Sequence, residues 1–290
     1  MSVTPAALLA AAFVSFLAAV LGVIHWRRPT HAGVHRMAAG AAWTALGFVF
    51  VLWVARWLEA GHLPMFGTFE SALSIALAVL VVPPLLCRLQ RVPEAATPGA
   101  CAVAALVLFH GRSYDPTPYA LTISERSWIV DVHAVIAWAA FGLLAANAGV
   151  AAWLVFRSRD RPPGSTRPLT RTLTAGFVLH SAMLVSGSVY RFMLFGKAWS
   201  FDPIETLGFA SWIAYGTLLH MHLFAGWQGR RLAGWCLTVF VLLLVSYRGI
   251  VWFPAWSTYH IFDMDLRIHL TGNEAAEGSY REAAGEGERP

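Results

Sequence analysis

Runs of apolar residues broken by short polar connections organise almost the whole chain. Eight stand out: residues 5–24, 37–57, 69–87, 97–110, 133–156, 174–195, 207–227 and 232–252. A helix needs about 17–25 apolar residues to cross a hydrocarbon layer, and most of the runs meet that length. The fourth is shorter. The third carries Pro83-Pro84 near its end, which predicts a kink. The pattern predicts an all-α, polytopic integral membrane protein with about eight transmembrane helices. The first two form an N-terminal pair over 1–58, and a membrane domain follows over 59–270. A Gly-, Glu- and Ala-rich tail at 271–290 reads as disordered.

Composition agrees with the pattern. Of the 290 residues, 57% are hydrophobic and 13% charged, about half the charged share of a soluble domain. The net charge of +5 sums two unlike faces. If the first connection, with Arg27, Arg28 and Arg36, is cytoplasmic, then Arg88, Arg91, the run Arg157 to Arg171, and Arg230-Arg231 fall inside too. That side holds 12 of the 21 Lys and Arg but only Glu94 and Asp160 of the 16 acids. One alternating assignment satisfies every connection and leaves both termini non-cytoplasmic. No basic aromatic surface suggests nucleic acid. Cys87, Cys101 and Cys236 show no CxxC spacing and read as buried, inert thiols. No Walker A sequence, internal repeat, Ser-His-Asp set or carboxylate pair is present, and no catalytic side chain is assigned.

Eleven histidines in so apolar a chain are the chemical signal. His25, His31 and His35 read as residues of an inner surface loop, and His62 and His110 as interfacial. His133 opens the fifth run and His260 follows the eighth, on the same non-cytoplasmic side as FGKAWSFDPIET (195–206). Neutral imidazoles are the usual axial ligands of haem iron. A porphyrin also needs aromatic faces, which Phe195, Trp199 and Phe201 can supply, and a cationic rim, for which Lys197 and Arg191 are candidates. Asp202 and Pro203 fit the N-cap and N1 positions of the seventh helix. An interfacial aromatic belt beside a capped helix accounts for the same residues without a ligand. His180 and His220, each six or seven residues (roughly 9 Å) from the inner ends of the sixth and seventh runs, read as lying at similar depth. They are candidates for a deeper bis-imidazole site or for hydrogen-bonded core residues.

FGKAWSFDPIET resembles the tryptophan-rich "WWD" signature, roughly WGxxWxWDPxET, of the haem-handling proteins of cytochrome c maturation, and is most similar to the CcsA/ResC type, related to CcmC and CcmF. GHLPMFGTFES (61–71), the 128–142 segment around His133, RTLTAGF and VSG (171–177, 185–187), SWIAYGTLLH (211–220) and STYH (257–260) extend the resemblance in order from about 60 to 290. It implies that His133 and His260 ligate the iron of an external haem cradled by the Trp199 loop, with Asp202 as part of that signature. It implies that His220 ligates the iron of a haem passing through the membrane. The haem would be b-type and transiently bound. The expected partners are a ResB/CcsB-type membrane protein and an apocytochrome c with a CxxCH motif, and the expected location is the cell inner membrane with the loop on its periplasmic side. Attachment would make the protein part of a cytochrome c haem lyase. Alternatives are a haem exporter or regulatory haem-binding relative without attachment activity, and a b-type cytochrome electron-transfer subunit. Phe195 and Phe201 stand where the signature has Trp, keeping a stacking face without an indole N–H. His180 stands where the family usually has an apolar residue, which makes it a candidate second ligand for the deeper haem.

Overall fold

All eight apolar runs fold as α-helices. The structure, a computed structural model, describes residues 2–27, 32–89, 96–118, 121, 126–156, 166–201 and 203–249. The helices are α1 Pro5–Arg27, α2 Ala32–Ala60, α3 Gly67–Arg88, α4 Ala96–Gly111, α5 Trp128–Phe156, α6 Arg167–Phe195, α7 Pro203–Phe224 and α8 Gly229–Gly249. No strand occurs among the described residues. Five of the helices (α1, α2, α3, α5 and α6) are long and apolar enough to cross a membrane. The protein is a multi-pass, all-helical membrane protein. His260 and the 271–290 tail lie outside the described residues, as does Asp202.

Several helices begin before their apolar runs. α5 starts at Trp128, and Asp131 in its first turn complements the helix dipole. α6 starts at Arg167 with a proline in its opening positions, where the missing N–H costs nothing. α3 continues through Pro83 and Pro84 to Arg88.

The helices alternate in direction and pack as antiparallel neighbours, α1 on α2 and α4, α3 on α4, α5 on α4, α6 and α8, and α7 on α6 and α8. α3 packs in parallel on α5. Small residues make these contacts possible. The buried stripe of α1 is Leu8, Ala11, Ala12, Ser15, Ala18, Ala19 and Gly22, spaced by three and four. At the α4–α5 crossing a Cβ on Gly99 would stand 2.6 Å from Gly149 Cα. In lipid such close backbone approach, rather than water exclusion, holds helices together. Polar side chains add to it. Asn147 of α5 donates to Leu169 O at 2.8 Å and to Thr172 Oγ1 at 3.0 Å on α6, and Trp53 Nε1 of α2 donates to Ser74 Oγ of α3 at 2.8 Å. The outside carries Phe13, Phe16, Val51, Val178, Val185 and Phe192, an apolar surface suited to acyl chains.

Candidate functional site

One end of the bundle, the loop end, gathers the α6–α7 turn, the start of α5, the end of α2 and the start of α3. α6 stops because Gly196 takes the left-handed conformation, φ 69°, and its N–H closes on Phe192 O. The turn is then tied to α7 by one carboxylate. Glu205 Oε2 accepts from Ser200 N at 2.8 Å and from Ser200 Oγ at 3.0 Å, while its Oε1 pairs with Arg191 Nε at 3.0 Å. Arg191 is buried and also lies over the Phe195 ring at 5.4 Å. It therefore braces the turn from within and is not the exposed rim cation that its sequence position suggests. Lys197 is exposed and keeps that role open.

The aromatics form a column. Trp199 meets Phe209 edge-on at 5.9 Å, Phe209 stacks on Trp212 at 5.5 Å, and Trp212 stacks on Phe177 at 5.4 Å. Trp212 Nε1 donates to Ser181 Oγ at 2.8 Å, which fixes its plane. Phe201 stands edge-on to Trp199 at 6.4 Å and is 81% exposed. Its φ of 59° is left-handed, a conformation uncommon for a bulky residue. A strained backbone that holds a large aromatic ring out of the fold points to a role for that ring outside the fold.

His133 of α5 belongs to the same end. Its ring stacks on Tyr190 of α6 at 6.2 Å, and Tyr190 meets Phe195 at 6.4 Å. Two ring contacts thus connect the imidazole to the turn. His133 Nδ1 lies 3.1 Å from Ser186 Oγ, which itself donates to Met183 O at 3.0 Å. A tautomer with its proton on Nδ1 would donate to Ser186 and leave the lone pair on Nε2. The close contact needs Gly187, where a Cβ would be 2.9 Å from His133 Cε1.

The structure does not bring His180 and His220 together. Arg191 lies opposite Glu205, and Ser181 opposite Trp212, so His180 falls beside Tyr215, ring centres 6.2 Å apart. His220 is five residues further along α7, roughly 7.5 Å. His180 is 1% exposed, whereas His220 lies on the exposed face with its ring 4.6 Å from Phe224. The similar depth read from the sequence fails because α6 begins seven residues earlier and α7 ends three residues earlier than their apolar runs.

A buried charge cluster at the loop end escaped the sequence reading. Arg56 Nε of α2 donates to Glu70 Oε1 of α3 at 2.9 Å, with both side chains 2% exposed. Arg56 Nη1 lies 3.4 Å from Glu59, whose Oε2 accepts from Val3 N at 3.1 Å. Glu70 Oε2 accepts from Phe66 N at 3.2 Å, and His62 Nδ1 is 3.9 Å away. The available signal was two charges of opposite sign set within the second and third apolar runs. Among the described residues no three His, Cys, Asp or Glu side chains converge as they would around a bare metal ion.

Residues 65–257 match the sequence profile of a family described as Cytochrome C assembly protein. The chain is similar to the Cytochrome c biogenesis protein CcsA of Synechococcus sp. (strain CC9902), 29% identical over 83% of this chain and 91% of that protein. It is similar also to CcsA of Prochlorococcus marinus (strain MIT 9215), 26% identical over 67% of this chain and 75% of the relative. An 80-residue stretch is 44% identical to CcsA of Prochlorococcus marinus (strain AS9601), covering 28% and 26% of the two chains.

Proposed function

The chain belongs to the cytochrome c assembly protein family, and from that premise we propose that it holds haem at its loop end and presents it for attachment to apocytochrome c. The observation that carries this reading is the anchored His133. Its Nδ1 meets Ser186 Oγ, and its ring is linked through Tyr190 to the aromatic turn. A porphyrin brings four of its iron's ligands with it, so a protein needs to add at most two. His133 is one, and His260 is proposed as the other. Trp199, Phe195 and Phe201 offer stacking faces, and Lys197 a cation for a propionate. The Glu205 latch holds these groups in one arrangement. Attachment adds the S–H of each CxxCH thiol across a haem vinyl group, with no leaving group. What this chain supplies is position and orientation.

His220 is proposed as the ligand of a haem on its way through the membrane. Its exposure on α7 supports a second ligand from outside this chain, and a ResB/CcsB-type membrane protein is the proposed source. His180, buried beside Tyr215, serves that haem only if its ring turns along the α6–α7 groove. The inner membrane, with the loop end on its periplasmic side, is the location this function requires.

The test is purification from haem-replete cells of wild type, His133→Ala, His260→Ala, His220→Ala and His180→Ala. Spectra are recorded, and cytochrome c yield is scored in a host lacking its own maturation system. Loss of the six-coordinate haem signal and of cytochrome c in His133→Ala and His260→Ala is the expected result. Unchanged spectra in both would overturn the proposal. A second reading, haem carriage without attachment, is favoured by Phe195 and Phe201 in place of tryptophan; it predicts bound haem without any cytochrome c yield.

A further inference from the structure

At the opposite end of the bundle, α1, α2, α3 and α4, with Trp153 of α5, line a half-open cavity of about 610 Å³, within the range of roughly 300–1,000 Å³ typical of small-molecule sites. Its wall is mostly apolar and aromatic, with Trp26, Trp43 and Trp153 among the lining residues. Its polar groups are few and converge. His25 and His35 face each other across the α1–α2 hairpin with ring centres 4.9 Å apart and planes tilted by 48°. His25 Nδ1 is buried and has no hydrogen-bond partner among the described residues. Arg88, exposed at the end of α3, contributes a cation to the lining. Pro83 and Pro84, also in the wall, cannot donate to the helix, so the carbonyls of Val79 and Leu80 lack their usual N–H donors. None of these residues takes part in the loop-end site.

We infer that this cavity is a separate docking site for haem, with His25 as its single axial ligand. The inference rests on the haem-handling reading proposed above. A flat, apolar, dianionic disc matches tryptophan walls with one arginine. Metal–nitrogen bonds of about 2 Å on either face are incompatible with two axial imidazoles whose ring centres are only 4.9 Å apart. One ring therefore ligates and the other orients it. His25 has the unpaired nitrogen, and His35 packs against its face. The haem held here is five-coordinate and high-spin, unlike the bis-imidazole, low-spin haem proposed for the loop end.

That difference lets spectroscopy separate the two sites. Full-length protein carrying His220→Ala, which removes the one-ligand haem proposed for α7, is loaded with hemin in detergent, and ferric spin state and ferrous CO binding are recorded for it alone (the wild type of this series) and with His25→Gly, His35→Ala or His133→Ala added. The high-spin, CO-binding component should disappear in His25→Gly, return on adding imidazole, and persist in His133→Ala, which loses the low-spin component alone. Loss of both components together in His133→Ala, or a high-spin component indifferent to His25→Gly, would overturn the far-end site and leave the loop-end proposal standing. Absence of any haem signal in wild type would overturn both. A second measurement does not depend on iron. Cys87 and Cys101 both line the cavity; Cys87 is half-buried, whereas Cys101 and Cys236 are buried. In a Cys101→Ser, Cys236→Ser protein, iron-free protoporphyrin IX should slow maleimide labelling of Cys87. Protection by decylubiquinone but not by the porphyrin would assign the cavity to a quinone and overturn the inference.

Discussion

Gly187 decides where the imidazole of His133 can stand, because any larger residue meets the ring at 2.9 Å. Gly187→Ala should raise helix propensity by about 1 kcal/mol and still displace the ring from Ser186. The expected outcome is unchanged far-ultraviolet circular dichroism with loss of the low-spin haem band. Ser186→Ala removes the hydroxyl that Nδ1 meets, so it should weaken haem retention by about 10–100-fold, the usual cost of losing an anchoring partner, as measured by haem transfer to apomyoglobin. Phe201 makes the complementary case. Its left-handed backbone costs roughly 1–2 kcal/mol, so Phe201→Gly should raise the thermal midpoint in detergent while speeding haem loss. His133, Trp199 and Phe201 were legible in the sequence because aromatic and imidazole groups at the ends of apolar runs are rare enough to notice. Arg191 was misread, since nothing in its neighbourhood along the chain shows that Glu205, beyond a tight turn, neutralises it.

Helix existence was legible from the apolar runs alone, and helix ends were not. Asp131 and Pro168 look like connection residues by polarity or chain stiffness, yet each suits the first turns of a helix, Asp131 through the dipole and Pro168 through its missing N–H. The early start of α6 and the early end of α7 leave His180 and His220, expected at similar depth, about five residues apart along α7. The α5–α6 contact, by comparison, rests on features that only packing reveals. Asn147 reaches Leu169 O and Thr172 Oγ1 from a buried position. Hydrogen bonds between membrane helices are worth about 0.6 kcal/mol each on average, with an upper value near 1.7. Asn147→Leu should therefore lower stability by about 1 kcal/mol in dodecyl sulfate unfolding, and Asn147→Ala by more, since a cavity then opens beside Ala148 and Leu144.

The eight-helix, all-α plan was legible at the scale of the whole molecule because arginine placement and apolar length point to one alternating path. The Arg56–Glu70 pair was not, although it ties the molecule together at the loop end. Arg56 belongs to α2, Glu70 to α3, Glu70 Oε2 holds Phe66 of the segment between them, and Glu59 holds the backbone before α1. Two helices and the segments that precede α1 and α3 therefore share one charge cluster. Removing one member of a buried pair strands the other, typically at 3–5 kcal/mol, whereas replacing both with apolar groups of similar volume is often neutral. Arg56→Met should accordingly unfold at markedly lower denaturant, and Glu70→Leu likewise, while the double variant should regain most of the loss. If the pair also fixes the loop end for haem, the double variant will be stable yet retain less low-spin haem, because Phe66 and Val3 will have lost part of their anchorage. A double variant as unstable as either single one would mean that the ion pair itself stabilises the fold. Full stability with full haem retention would make the cluster a local feature with no bearing on the site.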